Sequence, residues 1–377
     1  HDQIDLNFKN HRVLLFFIKL IYLYLKHGIK VFRLDAVAFL WKEKSTNCLN
    51  LPQTHEVVKL IRTILDNYNQ NNLLITETNL PNLENLSYFG NGDEANAIYN
   101  FTLPPLLLWT LLMGDSTALR EWTMSMPPAK EHTTYFNFIA SHDGIGLRPT
   151  ENILTDQERD TLIEIVKEFG GVISNRKKPD ATETVYELNT TLLDAMKGTF
   201  KGIDHMQVER FLACHAIMLS LEGIPAFYIH SVLGTTNDYE LMKKNSQNRS
   251  INRKSWDFDE IKNKLHDGKS INNQVYSSII NLIKIRKKQP AFHPNAIQFT
   301  FNLGKNFFGI WRQSLDKKQS IFSVTNVTNI FQYLDLTEMN LIESEKWWEL
   351  ISNREIDNIK STIALKAYQT AWITNHK

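Results

Sequence analysis

Three apolar segments of this 377-residue chain each run directly into an acidic residue or a short turn that carries one, and this repeated pattern most constrains the fold. The segments span residues 29–34, 73–76 and 134–140, and the acidic residues that follow them are Asp35, Glu77 and Asp143. Runs with helical periodicity separate the segments, and strands joined through single helices pair in parallel. The acids therefore lie at the carboxyl ends of parallel strands, where a (β/α)8 barrel builds its active site.

The alternation of strand and helix predicts an α/β fold with a parallel sheet. A doubly wound sheet would also place ligands at strand ends, but no glycine-rich phosphate loop opens a helix, which favours the barrel. Five barrel strands are expected, at residues 29–34, 73–76, 97–101, 134–140 and 225–229. Because the chain begins with His1 rather than Met, we expect the first three strands of a (β/α)8 TIM barrel to precede it.

Changes in pattern along the chain suggest its domain organisation. Residues 1–291 are expected to form the partial catalytic barrel, in which the polar segment 145–205 is an inserted loop subdomain. Within the barrel a helix is expected to start with Thr54 as its N-cap. After Pro290 the chain changes to short strands with turns between them, so residues 292–377 are expected to form a small C-terminal β domain.

Composition excludes several classes of function. A hydrophobic fraction of 42% and a net charge of +1 indicate a globular chain with no general attraction to nucleic acid or membranes. The most apolar run, residues 13–25, is interrupted by Lys19 and is too short to span a bilayer. No signal peptide is visible, and Cys48 and Cys214 have no metal-ligand spacing. We therefore expect free thiols and a cytoplasmic protein.

Three carboxyl groups at one end of a barrel suit glycosyl transfer. A retaining mechanism needs an ionised nucleophile and a protonated acid about 5 Å apart. Asp35 has Arg33 on the same face of its strand and is the better nucleophile, although an Arg–Asp pair of this kind is by itself more often structural. Glu77, with no lysine or arginine near it in sequence, is the better general acid/base. Asp143, next to His142, is expected to hold ring hydroxyls.

The same segments resemble a known family. Arg33-Leu34-Asp35-Ala36, Ile75-Thr76-Glu77 and Ser141-His142-Asp143 are similar to successive motifs of the α-amylase superfamily, glycoside hydrolase family 13. The stretches Asp143-Gly144-Ile145-Gly146, Phe101-Thr102-Leu103-Pro104-Pro105 and Asn248-Arg249-Ser250-Ile251-Asn252-Arg253 resemble its sucrose phosphorylase branch. The likeness extends from Asp2 to about Asn295.

The resemblance implies an α-glucoside phosphorylase, which transfers glucosyl to inorganic phosphate and releases α-glucose 1-phosphate. It implies Asp35 as nucleophile, Glu77 as acid/base and Asp143 as transition-state stabiliser. It also implies that Arg33, His142 and Arg249 contact the glucosyl unit, and that Tyr186 and Glu187 of the inserted loop lie near the acceptor and phosphate subsite. No metal or organic cofactor is implied; phosphate is the co-substrate, and the partners are small molecules.

Three positions depart from the sucrose phosphorylase pattern. Asn79 stands where that branch has histidine, Phe39 where it has tyrosine, and Glu187 where it has glutamine. These positions face the acceptor, so the pattern favours relatives acting on glucosylglycerate, glucosylglycerol or sucrose 6-phosphate, with glucosylglycerate first. An amylase-type hydrolase or transglucosidase uses the same acids and remains an alternative. A further alternative is an inactive fragment, because five strands leave the barrel open.

Overall fold

The computed structural model describes residues 4–177 and 183–376 and divides into two compact units. The first unit comprises residues 1–101 and 129–136, and the second comprises residues 102–128 and 137–377. Residues 178–182 of the predicted inserted loop, and the chain-end residues 1–3 and 377 included in the predicted domains, lie outside the described residues.

The first unit contains a parallel sheet flanked by helices. Its elements are α1 (His11–Lys26), β1 (Val31–Leu34), α2 (Pro52–Tyr68), β2 (Leu73–Thr76), α3 (Asn82–Leu86), β3 (Ala97–Tyr99) and the first three residues of β4 (Thr134–Phe138), with 3₁₀ turns at Val37–Phe39 and Ser87–Phe89. Strands β1, β2, β3 and β4 are neighbours in that order, and each adjacent pair is parallel. This confirms the predicted parallel alternation for the first four strands.

Local sequence explains where the first helices begin and end. The side chain of Asn10 caps α1 by accepting a hydrogen bond from the Arg12 N–H at 3.0 Å, and Gly28 follows with a φ of +83° that favours glycine. The predicted start of α2 at Thr54 is wrong. The helix begins at Pro52, whose fixed φ suits the first helical position, and the buried Thr54 hydroxyl instead accepts from the Trp41 N–H at 3.3 Å.

Within the described residues, the second unit carries most of the helices and all the antiparallel strands. Its helices are α4 (Leu103–Met113), α5 (Thr117–Ser125), α6 (Asp156–Glu168), α7 (Leu192–Ala195), α8 (Gln207–Ser220), α9 (Ile229–Val232), α10 (Tyr239–Asn245), α11 (Phe258–His266) and α12 (Ile271–Arg286). Its strands from the middle of the chain are β5 (Ile145–Gly146), β6 (Val172–Lys177), β7 (Glu183–Asn189), β8 (Gly198–Thr199), β9 (Gly202–Ile203) and β10 (Ile224–Ala226). Strand β10 corresponds to the fifth predicted barrel strand.

An antiparallel region closes the chain, as predicted. Its strands are β11 (Ile297–Phe301), β12 (Phe307–Gln313), β13 (Ser320–Asn326), β14 (Gln332–Asp335), β15 (Trp347–Glu349), β16 (Arg354–Ile356), β17 (Thr362–Leu365) and β18 (Thr370–Thr374). Six of them form a sheet in the order β11-β12-β13-β18-β15-β16, and β14 pairs with β17. The 3₁₀ turns of this unit are Arg148–Thr150, Asn248–Asn252, Pro290–Phe292 and Leu336–Met339.

The main core of the second unit surrounds α4. Ten of its eleven residues are buried, so the helix has no polar face and packs on all sides. Pro104 and Pro105 start it without loss of a needed N–H donor. Across the described residues, no helix combines the length and apolar character that a bilayer crossing requires.

Candidate active site

Strand register brings the first two predicted acids together. Because β1 and β2 are parallel with Leu34 opposite Thr76, the residues that follow, Asp35 and Glu77, leave the sheet side by side. The Glu77 N–H donates to the Leu34 carbonyl at 3.0 Å and extends the pairing by one residue. The position of Glu77 is therefore set by backbone hydrogen bonds as well as by its own side chain.

A single guanidinium contacts both acids. Arg33 Nη1 lies 2.6 Å from Asp35 Oδ1, and Arg33 Nη2 lies 3.8 Å from Glu77 Oε2. The Ala36 N–H donates to the same Glu77 oxygen at 2.7 Å, and Ala36 adopts a φ of +47°, an uncommon conformation for a residue with a Cβ. The strained turn after the strand thus points an N–H donor at the second carboxylate.

The two carboxylates differ in exposure. The Asp35 side chain is 66% exposed, whereas that of Glu77 is 13% exposed. Arg33 lies with its Cζ 5.4 Å from the centre of the Tyr99 ring. Burial alone would lower the pKa of Arg33, but the electrostatic interactions with Tyr99, Glu77 and Asp35 and the hydrogen bond with Asp35 outweigh it and raise that pKa. Burial also raises the pKa of the Tyr99 hydroxyl. The guanidinium therefore stays charged between the acids.

Glu77 has no lysine or arginine near it in sequence, but it has one near it in space. Arg33 is 44 residues away in sequence, but the register of β1 on β2 places its Nη2 within ion-pair distance of Glu77. The Arg33–Asp35 contact, expected from their shared strand face, is confirmed and is the shorter of the two. The role of Glu77 as acid/base remains a prediction.

In the second unit, Asp143 lies among three basic side chains. Its Oδ1 is 2.7 Å from Arg249 Nη1, 3.4 Å from Arg253 Nη2 and 3.6 Å from His142 Nε2. Arg249 is therefore its main partner, rather than the neighbouring histidine, whose side chain is 57% exposed. The Asn252 amide donates to the carbonyls of Ser141 and Asp143 at 3.1 and 3.0 Å and braces the turn that carries the acid.

Arg249 also holds Glu187. Its Nε and Nη2 contact Glu187 Oε2 and Oε1 at 3.0 and 2.5 Å, a bidentate pair. Burial alone would lower the pKa of Arg249, whereas the hydrogen bond and charge of Glu187, together with Asp143, raise it. Arg249 thus joins two of the residues predicted for the site.

The remaining predicted contacts lie on loops and on β7. Phe39 is 51% exposed on the turn after β1, with the Lys42 ammonium 5.7 Å from its ring centre. Asn79 is half-buried, two residues after Glu77. Tyr186 is half-buried on β7 and lines a cavity of about 820 Å³ together with Arg148, Arg159 and Arg176.

Three contributors were not predicted from the sequence. Tyr99 stacks against Arg33, Arg253 contacts Asp143 and donates from Nε to the His142 carbonyl at 2.7 Å, and Asn252 braces the same turn. Arg253 and Asn252 belong to the Asn248–Arg253 motif, and this motif could have indicated that they lie in the site. Nothing in the local sequence of Tyr99 points to this contact.

The chain is similar to known carbohydrate-active proteins. The family described as "Alpha amylase, catalytic domain" matches residues 1–145. A glucosylglycerate phosphorylase of Escherichia coli K12 is 38% identical over 99% of the chain and 65% of its own length. A glucosylglycerate phosphorylase of Spirochaeta thermophila is also 38% identical, over 100% of the chain and 65% of its own length. The chain thus spans about 65% of the length of these curated relatives.

A solved structure shares the fold. The crystal structure of sucrose 6F-phosphate phosphorylase from Thermoanaerobacter thermosaccharolyticum superimposes with a TM-score of 0.75 at 21% identity, covering 97% of this chain and 66% of that one. At this identity the likeness bears on the fold alone. Together with the parallel and antiparallel sheets, it confirms the predicted class: the α/β fold of the TIM-barrel type with a C-terminal β domain.

Proposed function

We propose that this chain belongs to the α-amylase superfamily, in its sucrose phosphorylase branch, and that the protein is an α-glucoside phosphorylase that acts by retaining double displacement. The observation that carries the proposal is the sharing of one guanidinium by Asp35 and Glu77, at 2.6 and 3.8 Å. Two carboxyl groups held this way at adjacent strand ends are what a nucleophile and an acid/base on one glycosidic bond require.

In the first step, a carboxylate oxygen of Asp35 forms a bond to C1 of the α-glucosyl unit while the bond from C1 to the aglycone oxygen breaks. Glu77 gives its proton to that oxygen, so the aglycone leaves as a neutral alcohol. The exposure of Asp35 leaves its oxygen accessible to the sugar. Asp143, held by Arg249, binds ring hydroxyls more strongly as the ring distorts towards the transition state.

In the second step, a phosphate oxygen bonds to C1 and the ester to Asp35 breaks. The phosphate proton passes to the Glu77 carboxylate, which returns the enzyme to its starting state. Two inversions at C1 give α-glucose 1-phosphate with the configuration of the donor retained. Arg33, which contacts both carboxylates, keeps the charge of the pair compensated throughout.

We propose glucosylglycerate as the donor. Its support is the similarity over nearly the whole chain to proteins named glucosylglycerate phosphorylase, together with Asn79 and Phe39 at positions where sucrose phosphorylases carry other residues. Phe39 and Asn79, on the loops after the two acids, and Tyr186 on β7 are the proposed acceptor-side contacts. His142 and Arg249 are proposed to contact the glucosyl unit.

The proposed reaction needs phosphate as co-substrate and no metal or organic cofactor, so dialysis against EDTA is expected to leave kcat unchanged. We also propose a cytoplasmic location, which the free thiols of Cys48 and Cys214 support. Burial raises the pKa of the Cys214 thiol and keeps it unreactive.

The test is the dependence of the product on phosphate. The purified protein is incubated with α-glucosylglycerate, with and without inorganic phosphate, and products are followed by ¹H and ³¹P NMR. We expect α-glucose 1-phosphate and glycerate in equal amounts when phosphate is present, with Asp35→Asn as the inactive control. Free glucose formed at the same rate without phosphate would show a hydrolase instead. Equal rates with α-glucosylglycerol would refute the proposed donor.

A further inference from the structure

We propose that Glu187 is a positioning residue that acts on the glucosyl side of the reaction through Arg249, rather than a contact to the aglycone or to phosphate. Its carboxylate fixes the plane of the Arg249 guanidinium, so that Nη1 of Arg249 stays in contact with the Asp143 carboxylate. This role deepens the proposed function and rests on it.

All three side-chain nitrogens of Arg249 contact a carboxylate oxygen. Nε and Nη2 contact Glu187 at 3.0 and 2.5 Å, and Nη1 contacts Asp143 Oδ1 at 2.7 Å. A guanidinium is planar, so a bidentate partner on one edge fixes the direction of the remaining N–H groups. The orientation of Nη1 towards Asp143 therefore depends on Glu187.

The two carboxylates that contact Arg249, Glu187 and Asp143, differ in their exposure to solvent. Glu187 is 2% exposed, and both of its oxygens are held by Arg249, whereas the Arg249 side chain is 41% exposed and the Asp143 side chain 22%. A ligand arriving from solvent meets Arg249 and Asp143 before it meets Glu187. Glu187 is thus placed behind the residues that a sugar can touch.

The backbone ties Glu187 to the turn that carries Asp143. Strands β5 and β7 are antiparallel, with Gly146 opposite Glu187. At Gly144, a Cβ would lie 3.0 Å from the Glu187 Cβ and 2.9 Å from the Leu188 carbonyl oxygen, so only glycine permits this approach. The distance between the Glu187 and Asp143 side chains is therefore set by the sheet as well as by Arg249.

In this chain the carboxylate of Glu187 also balances the positive charge of the arginines. Arg249 and Arg253 face Asp143 and Glu187, so these four side chains are balanced. In Glu187→Gln the amide nitrogen, a donor, meets one of the two Arg249 N–H groups, and the pair loses its bidentate form. The substitution keeps the side-chain volume, so the change is one of Arg249 orientation rather than of packing.

The test is a double-mutant cycle with α-glucosyl fluoride, a donor without an aglycone. Glu187→Gln, Arg249→Gln and the double variant are compared by the rate of fluoride release. Since a misplacement of about 1 Å can cost about 100-fold, we expect Glu187→Gln to lower kcat/KM by about 100-fold, mainly in kcat, and the double variant to be no slower than Arg249→Gln alone.

The control is Glu349→Gln. Glu349 is a buried carboxylate, 8% exposed, that accepts from the backbone N–H groups of Ile351, Ser352 and Trp372. We expect it to lower the midpoint of urea unfolding with little change in kcat.

Two results would overturn the proposal. One is wild-type fluoride release by Glu187→Gln combined with a raised KM for phosphate or glycerate, which would make Glu187 an acceptor contact. The other is additive effects in the cycle. The kcat/KM for fluoride release reports on the first step alone, so a normal kcat/KM without α-glucose 1-phosphate contradicts the proposed function but not this role. If the wild type releases no fluoride, the same cycle on urea midpoints decides, and additive shifts would overturn the Glu187–Arg249 coupling.

Discussion

Substitution of Gly144 by alanine tests whether the turn carrying Asp143 is held tightly against β7. The added Cβ would meet the Asn189 Oδ1 and the Leu188 carbonyl oxygen at 2.9 Å each, and the Glu187 Cβ at 3.0 Å. One of these atoms is backbone and another belongs to a buried side chain fixed by Arg249. The turn must therefore move, because its neighbours cannot.

The magnitude follows from the cost of overpacking. Extra methyl groups in a packed interior typically cost about 1–3 kcal/mol, and contacts this short with rigid atoms place Gly144→Ala near the upper end, at about 2–3 kcal/mol. Unfolding entropy is about 2.1 cal/mol/K per residue, so this loss corresponds to about 2.5–4 °C in Tm for a chain of this size. We also expect kcat to fall, because Asp143 moves with the turn.

The assay is thermal unfolding followed by circular dichroism, with Gly268→Ala as the matched control. A Cβ at Gly268 has no heavy atom within 4 Å, and its φ lies outside the left-handed region, so its substitution is expected to change stability by less than about 0.5 kcal/mol. Equal Tm values for the two variants would refute the close packing of the turn on β7.

Two further predictions concern the acid/base and pH. Glu77→Gln is expected to lower kcat on glucosylglycerate by about 10²–10⁴-fold but to affect α-glucosyl fluoride much less, because fluoride leaves without a proton; equal losses on both donors, measured by steady-state kinetics, would argue against the acid role. Burial lowers the pKa of His215, which is 1% exposed, from 6.5 to about 4. Between these two pH values the unfolded chain binds more protons than the folded chain. The stability that is present above pH 6.5 is therefore lost as the pH falls. This loss amounts to about 3 kcal/mol by pH 4, and urea titrations of His215→Gln should show a shallower decline than the wild type; parallel curves would exclude His215 as the cause.

The contacts that the sequence predicted are those set by local rules. Arg33 and Asp35 are two residues apart on one strand, so their pairing follows from strand geometry. The contact of Arg33 with Glu77 depends on which residue of β2 lies opposite Leu34. This register cannot be predicted from the sequence of either strand alone.

Non-local contacts explain the other differences. Glu187 and Arg249 are 62 residues apart, on a strand and a 3₁₀ turn, and the individual residues do not reveal that they meet. Thr54 has the side chain of an N-cap, but its hydroxyl is used by the Trp41 N–H, and Pro52 starts the helix. Tertiary hydrogen bonds thus decided between two local options at this position.

The most direct test of the account is the identity of the covalent nucleophile. A 5-fluoro-α-glucosyl fluoride slows both steps, and its use should trap the glucosyl-enzyme for peptide mapping by mass spectrometry. We predict a single label on Asp35, which is lost in Asp35→Asn and is discharged to a glucose 1-phosphate analogue when phosphate is added. A label on Glu77, on Asp143 or on any other residue would contradict it.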